Sequence, residues 1–511
     1  MRKETLLAIV ITTLITACGD APRGNADGAD GQAKIIQTSP SQQLETIYDE
    51  FFEELMQFDP LFATSLEKQQ YNDQLPNFLA SEYREKKRRF EQKYLDRINA
   101  IDPVSLPDSA LIDYKIFKRR REMAVRSFRF PSHLLPIDPF QNFATRFAAL
   151  GSGASVQPFE TYSDYQNWAN RLEQIPVIFN QAQQNMQTGV EQGVVYPRVL
   201  TEQVISQVKA QIVEQVENSV FWQPIEQLPE SLDSGQQQQI TQRYRKLLED
   251  TVIPAYQQLA HYLADEYLPH SRTETFGLEQ LPDGKAWYQY LIEANTSTRL
   301  TAAEIHRIGK SEVHRLRAQM SKLMKQMNFE GDLSAFFEEM TYDPRFNYDS
   351  RENMPEDLPL FRQFAREPVY RKGWGLYAES LGDEMGLYQG SDSSFQALAA
   401  ELWRSVQLVT DTGIHGKGWS HQQVLDYMQQ NAPVTKAHAE SETKRLMAQP
   451  GQALAYKVGQ LKIAELRREA ERKLGERFDS EAFHQVVLEQ GAIPLALLEQ
   501  KVKRWIIERR Y

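Results

Sequence analysis

From about residue 41 onward the apolar positions return every three or four residues, the period of an amphipathic helix, while strict apolar–polar alternation is scarce. Leu44, Ile47, Tyr48, Phe51 and Leu55 share one face of a first helix. Asp59-Pro60 should stop it, because proline lacks the amide proton that a continuing helix needs. Phe395, Leu398, Leu402, Val406 and Val409 line a second such face. Ala455, Gly459, Ile463, Leu466, Ala470 and Leu474 line a third, where the small side chains at 455 and 459 let a neighbouring backbone come close. The pattern predicts an all-α protein, a large helical scaffold with little or no β-structure. Residues 41–511 exceed what one hydrophobic core commonly serves, so two helical lobes are expected. Proline and glycine near 131–139, 151–158, 224–235 and 269–284 mark loops between helix groups, and 342–367 is the least regular stretch of the later half.

The first forty residues break this pattern. Arg2 and Lys3 precede an apolar run from Leu6 to Ile15. At about ten residues it is too short to cross a bilayer and has the length of an export-signal core. Ile15-Thr16-Ala17-Cys18 then brings small residues up to the only cysteine of the chain, the pattern of a bacterial lipoprotein cleavage site. Residues 1–17 are therefore read as a signal peptide and Cys18 as the lipidated residue, in preference to a buried apolar thiol. Acyl chains contribute roughly 0.8 kcal/mol per buried methylene, so a multiply acylated Cys18 would hold the protein on a membrane without a spanning helix. Residues 18–40, rich in Gly, Ala, Asp, Ser and Gln, read as a flexible tether. The expected location is the cell envelope, facing the periplasm, and Gly19 in place of an aspartate favours the outer membrane.

The net charge of −11 argues against nucleic acid as a partner. The basic run Lys86-Lys87-Arg88-Arg89 is interleaved with Glu85 and Glu91 and reads as a solvated helix face. Lys501, Lys503, Arg504, Arg509 and Arg510 close a terminal helix, where cations offset the carbonyl end of its dipole.

Three blocks carry the most telling residues: RKGWGLYAESLGDEMGLY (371–388), DTGIHGKGW (411–419) and PGQALAYKVGQLKIAELR (450–467). With FDPLFATSLE (58–67), HLLPIDPFQNF (133–143), GVVYPRVL (193–200), GLEQLPDGKAWY (277–288) and LTAAEIHRIGKSEV (300–313), they resemble the bacterial family catalogued as domain of unknown function 885. Its members look like zinc peptidases of the helical gluzincin kind. The resemblance implies a segment like HEAIPGHH, supplying two histidine ligands and a catalytic glutamate, between Asp343-Pro344-Arg345-Phe346 and the GWGLYAES block. No such segment lies there, which implies an internal deletion near 347–360. Family members resemble EGWALYAE, whose leading glutamate would be the third metal ligand, and the matching position here is Lys372. A unit charge pair at 4 Å is worth about 4 kcal/mol at an effective dielectric near 20, so this change of sign opposes a dication. Zinc is the cofactor the family implies, and it is expected to be absent from this chain.

The histidines agree. His133, His261, His270, His306, His314, His415, His421, His438 and His484 include no pair at i, i+4 with an intervening glutamate, so no HExxH-like helix exists. The residues that would surround the lost metal remain as vestigial candidates: Glu379, Asp411, His415 and Tyr456. Asp411 and His415 stand i, i+4, so the carboxylate can orient the imidazole. The resemblance suggests that Tyr456, near Gln452 and Lys457, is a phenol that donates to an oxyanion. Trp374 and Tyr377, on a face with Leu381, Met385 and Tyr388, join Gln452 as candidates for substrate binding, and the same face is also what a core-packing stripe looks like. There is no GxSxG, GxxxxGK[ST] or GxGxxG element. The resulting expectation is a catalytically inactive, lipid-anchored envelope protein with a cleft for peptides. The alternatives are a hydrolase whose site was rebuilt from His415 and Glu379, and a damaged or incomplete product.

Overall fold

The computed structural model describes residues 39–326, 333, 360–363, 367–386 and 391–510. The leader, Cys18, the tether up to residue 38 and the interval 347–359 lie outside the described residues. Among the described residues every regular element is a helix, and one isolated bridge pairs Pro197 with Arg272. No described helix is long and apolar enough to cross a membrane.

The first helix, Pro40–Phe58, buries Leu44, Ile47, Tyr48 and Phe51. It ends where Asp59 turns outward and caps the next helix, Pro60–Ser65, its carboxylate accepting the Phe62 N–H at 3.0 Å. The proline that halts one helix thus starts another, at the position where its missing N–H costs nothing.

The buried side chains form two main clusters. One is built largely from residues 143–268, the other from the N-terminal helices and residues 454–506. Two long helices contribute to both. Ala302–Gln326 gives Ile305 to one cluster and Leu316 to the other, and Ser391–Lys417 gives Leu408 to one and Val406 to the other. Gly309 lets these two helices touch, since a β-carbon there would meet Leu408 Cβ and Val409 Cγ2 at 2.8 Å. From residue 405 to residue 415 the 391–417 helix is buried on every side, so its polar residues there must find partners inside the protein. Ser405, Thr410 and Thr412 hand their hydroxyl protons to carbonyls of their own helix.

The basic run near 86 differs from expectation at one residue. Lys87 folds back over the rings of Phe58 and Phe90, 4.7 and 4.5 Å from their centroids, and reaches Glu91 at 3.5 Å. Its long aliphatic stem covers apolar surface while its charge keeps a partner.

Candidate functional site

Two glycines set the site. Gly373 on the helix Pro368–Glu384 and Gly459 on the helix Leu454–Leu474 face each other so closely that a β-carbon on either would enter the other's backbone. This contact brings Lys372 against Tyr456, one residue before and three residues before the glycines respectively. Two cations lie against the Tyr456 ring, with Lys372 Nζ 4.6 Å and Arg404 Cζ 3.8 Å from its centroid.

A hydrogen-bonded chain leads away from Arg404. Its guanidinium donates to Gln407 Oε1 at 3.1 Å, and Gln407 Nε2 donates to Glu442 Oε1 at 2.7 Å. Arg445 donates two bonds to the same carboxylate, at 2.8 and 2.5 Å, and a third to Gln452 Oε1 at 2.5 Å. Glu442 is therefore fully engaged. Lys372 has no ion pair or hydrogen bond among the described residues, and none joins it to Glu379. Burial, with Arg445 and Arg404 nearby, lowers the Lys372 ammonium to about 8 against a partial opposing pull from Glu442. Glu379 shifts upward through burial, opposed by Arg404.

Asp411 and His415 do not form the pair that their spacing suggests. Asp411 is fully buried and accepts from Tyr288 Oη at 2.5 Å and from the Gly451 N–H at 3.1 Å. Burial raises its carboxyl to about 7 despite these bonds. His415 Nδ1 accepts the Leu278 N–H at 3.1 Å, and Nε2 bonds the Leu446 carbonyl at 2.8 Å. A ring that accepts at one nitrogen must donate at the other to bind a carbonyl, so this is neutral imidazole with both nitrogens committed to backbone. Burial lowers it to about 4. It has no free nitrogen with which to move a substrate proton.

Trp374 and Tyr377 also part company with Lys372. Two residues on a helix lie about 200° apart, so Trp374 points away from the Lys372 side. Tyr377 Oη meets His484 Nε2 at 2.9 Å, and both aromatic rings pack on the His484 imidazole. Their stripe is core packing through Leu381, beyond which Met385 is exposed. Lys372 instead shares its face with Leu376, Glu379 and Ser380, which line a cavity of about 380 Å³ with Arg315, Glu401 and Gln460. Lys457 turns the other way from Tyr456. Fully buried, its ammonium is held by Glu401 at 2.5 Å, Gln460 at 2.7 Å and Glu312 at 2.9 Å, and Arg315 bridges the same two carboxylates. Gln452 lines a second cavity, of about 340 Å³, with Phe276, Trp287, Leu291, Met447 and Arg272.

These residues do not fit zinc. A catalytic zinc site needs three nitrogen, sulfur or carboxylate ligands, and among the described residues no group of three such side chains converges. Around Tyr456 stand three cations, Lys372, Arg404 and Arg445, and Glu442 beside them already accepts two bonds from Arg445 and one from Gln407. The sequence reading named Lys372, Tyr456 and Gln452 and did not name their neighbours Arg404, Gln407, Glu442 and Arg445. The only trace of these is their i, i+3 spacing, which any solvated helix also shows.

Comparison with known proteins gives a consistent picture. The model of a family described as a bacterial protein of unknown function (DUF885) matches residues 60–358 and 350–502. No curated protein matches the chain. Among solved structures, a protein of Colwellia psychrerythraea inferred to be a lipoprotein is 21% identical with a TM-score of 0.80, covering 92% of this chain and 100% of its own. An inferred lipoprotein of unknown function from Shewanella oneidensis is 16% identical with a TM-score of 0.71, covering 91% of this chain and 99% of its own.

Proposed function

The chain belongs to this bacterial family of unknown function, DUF885, and from that premise we propose a lipid-anchored cell-envelope protein that binds peptides and does not cleave them. One observation carries the reading. Where the resemblance to zinc peptidases calls for an anionic metal ligand, the protein holds Lys372, with Arg404 against the same tyrosine ring. A dication would face like charge at short range in a partly desolvated place, where Coulomb repulsion is poorly screened.

Three further points support it. The family model matches in two pieces that meet at 350–358, inside the interval where a metal-bearing segment is expected. The Colwellia structure shares this fold over its whole length, as expected of an intact scaffold. Both solved neighbours are inferred lipoproteins, which agrees with the Ile15-Thr16-Ala17-Cys18 reading and with an anchor in the envelope.

Elemental analysis of the purified mature protein, with cleavage of a peptide library in the presence and absence of chelator, tests the reading. Zinc far below one equivalent and no chelator-sensitive cleavage are expected. Stoichiometric zinc together with chelator-sensitive cleavage would overturn it.

A further inference from the structure

We infer that Lys372, Arg404 and Tyr456 form a receptor for the free carboxylate of a short peptide, whose preceding residues run past Gln452 into the aromatic-lined cavity. This rests on the peptide-binding reading above and names the group that is recognised.

The charges require it. Arg445 and Glu442 neutralise each other through a two-bond pair, which leaves Lys372 and Arg404 at one phenol ring with Glu379 acting on Arg404 without a direct bond. An ammonium partly removed from water beside two guanidinium groups is costly unless an anion joins it. The donors left over match a carboxylate. Lys372 has three N–H groups with no partner among the described residues, Arg404 commits one nitrogen to Gln407, and the Tyr456 hydroxyl has no hydrogen-bond partner there. A carboxylate offers two oxygens with about four acceptor positions, enough for donors from two cations and a phenol.

The rest of the ligand follows from the surroundings. Gln452 sits in the turn that leads into the helix carrying Tyr456, two residues before its first residue Leu454. Its Oε1 is held by Arg445, and its NH2 group, which has no partner among the described residues, is a donor for a peptide carbonyl. Beyond it the 340 Å³ cavity offers Phe276, Trp287, Leu291 and Met447 to an apolar side chain.

The test is calorimetric titration of the full mature protein in detergent at low salt. The probes are N-acetylated tripeptides of apolar residues as free acids, the same tripeptides as C-terminal amides, and acetate. Acids should bind at least about tenfold more tightly than their amides, since losing one partner of a desolvated charge pair costs more than the 1.4 kcal/mol that a decade represents. Lys372→Met should weaken acid binding by about tenfold or more, and Lys372→Arg, which keeps the charge, should hold it within about threefold. Equal binding of acids and amides, or undiminished binding to Lys372→Met, overturns the carboxylate receptor and leaves a peptide cleft standing. Acetate bound at Lys372 with no tripeptide bound overturns the peptide source, and with it the peptide cleft. No binding of any carboxylate overturns the whole inference.

Discussion

Asp411 and His415 sit one helical turn apart, and burial disfavours the charged form of each. Asp411, raised to about 7, holds its proton more tightly folded than unfolded. Its stabilising contribution is complete below the unfolded carboxylate value near 4 and is lost as pH rises through 7. Asp411→Asn keeps an acceptor for Tyr288 and Gly451 but has no proton to lose. Its unfolding free energy relative to the natural protein should therefore improve by about 3 kcal/mol between pH 5 and pH 8, measured by urea denaturation at both. A pH-independent difference would mean that Asp411 is ionised in the fold throughout. His415 behaves in the opposite sense. Lowered to about 4, it contributes stability above its unfolded value near 6.5 and loses it as pH falls through the folded one. His415→Gln retains one donor and one acceptor for Leu446 and Leu278, so its acid limb should be shallower by up to about 3 kcal/mol at pH 4. An acid limb as steep as that of the natural protein would show that the imidazole is not the group responsible.

At the scale of helices, the Gly373–Gly459 contact decides whether Lys372 and Tyr456 meet at all. Gly459→Ala places a methyl against the Val369 carbonyl and the Gly373 backbone, and should cost about 3 kcal/mol by forcing the two helices apart. Gly375, two residues along the same helix as Gly373, has nothing within 4 Å of a built β-carbon. Gly375→Ala should instead raise stability by up to about 1 kcal/mol through helix propensity. Thermal melts of the pair settle both, and a loss in Gly375→Ala would be the surprising result. The helices themselves were plain in the sequence, because Leu402, Val406 and Val409, or Ile463, Leu466 and Ala470, repeat at a period set by backbone geometry alone. The small residues at 455 and 459 also disclosed a close neighbour. The identity of that neighbour was not legible, since nothing local distinguishes Gly373 from Gly375. Nor could spacing reveal that Asp411 answers Tyr288, 123 residues away, in place of His415 four residues on.

For the molecule as a whole, the reading of Cys18 as the anchor is open to a direct check. Cys18→Ser expressed in a bacterial host should move from the membrane fraction to the soluble fraction and cease to incorporate labelled fatty acid, because no described helix can replace the lipid. Membrane retention without label would mean that something else holds it. The cation cluster, by contrast, belongs to no single stretch of sequence. Lys372, Arg404, Arg445 and Tyr456 come from four helices, and only their assembly makes the charge balance visible. His415 shows what such assembly demands in time. Its ring fastens Leu278 to Leu446, spanning 137 residues on one side and 31 on the other. A ribosome must therefore release nearly the entire polypeptide before this rivet can close, and contacts of such separation form slowly.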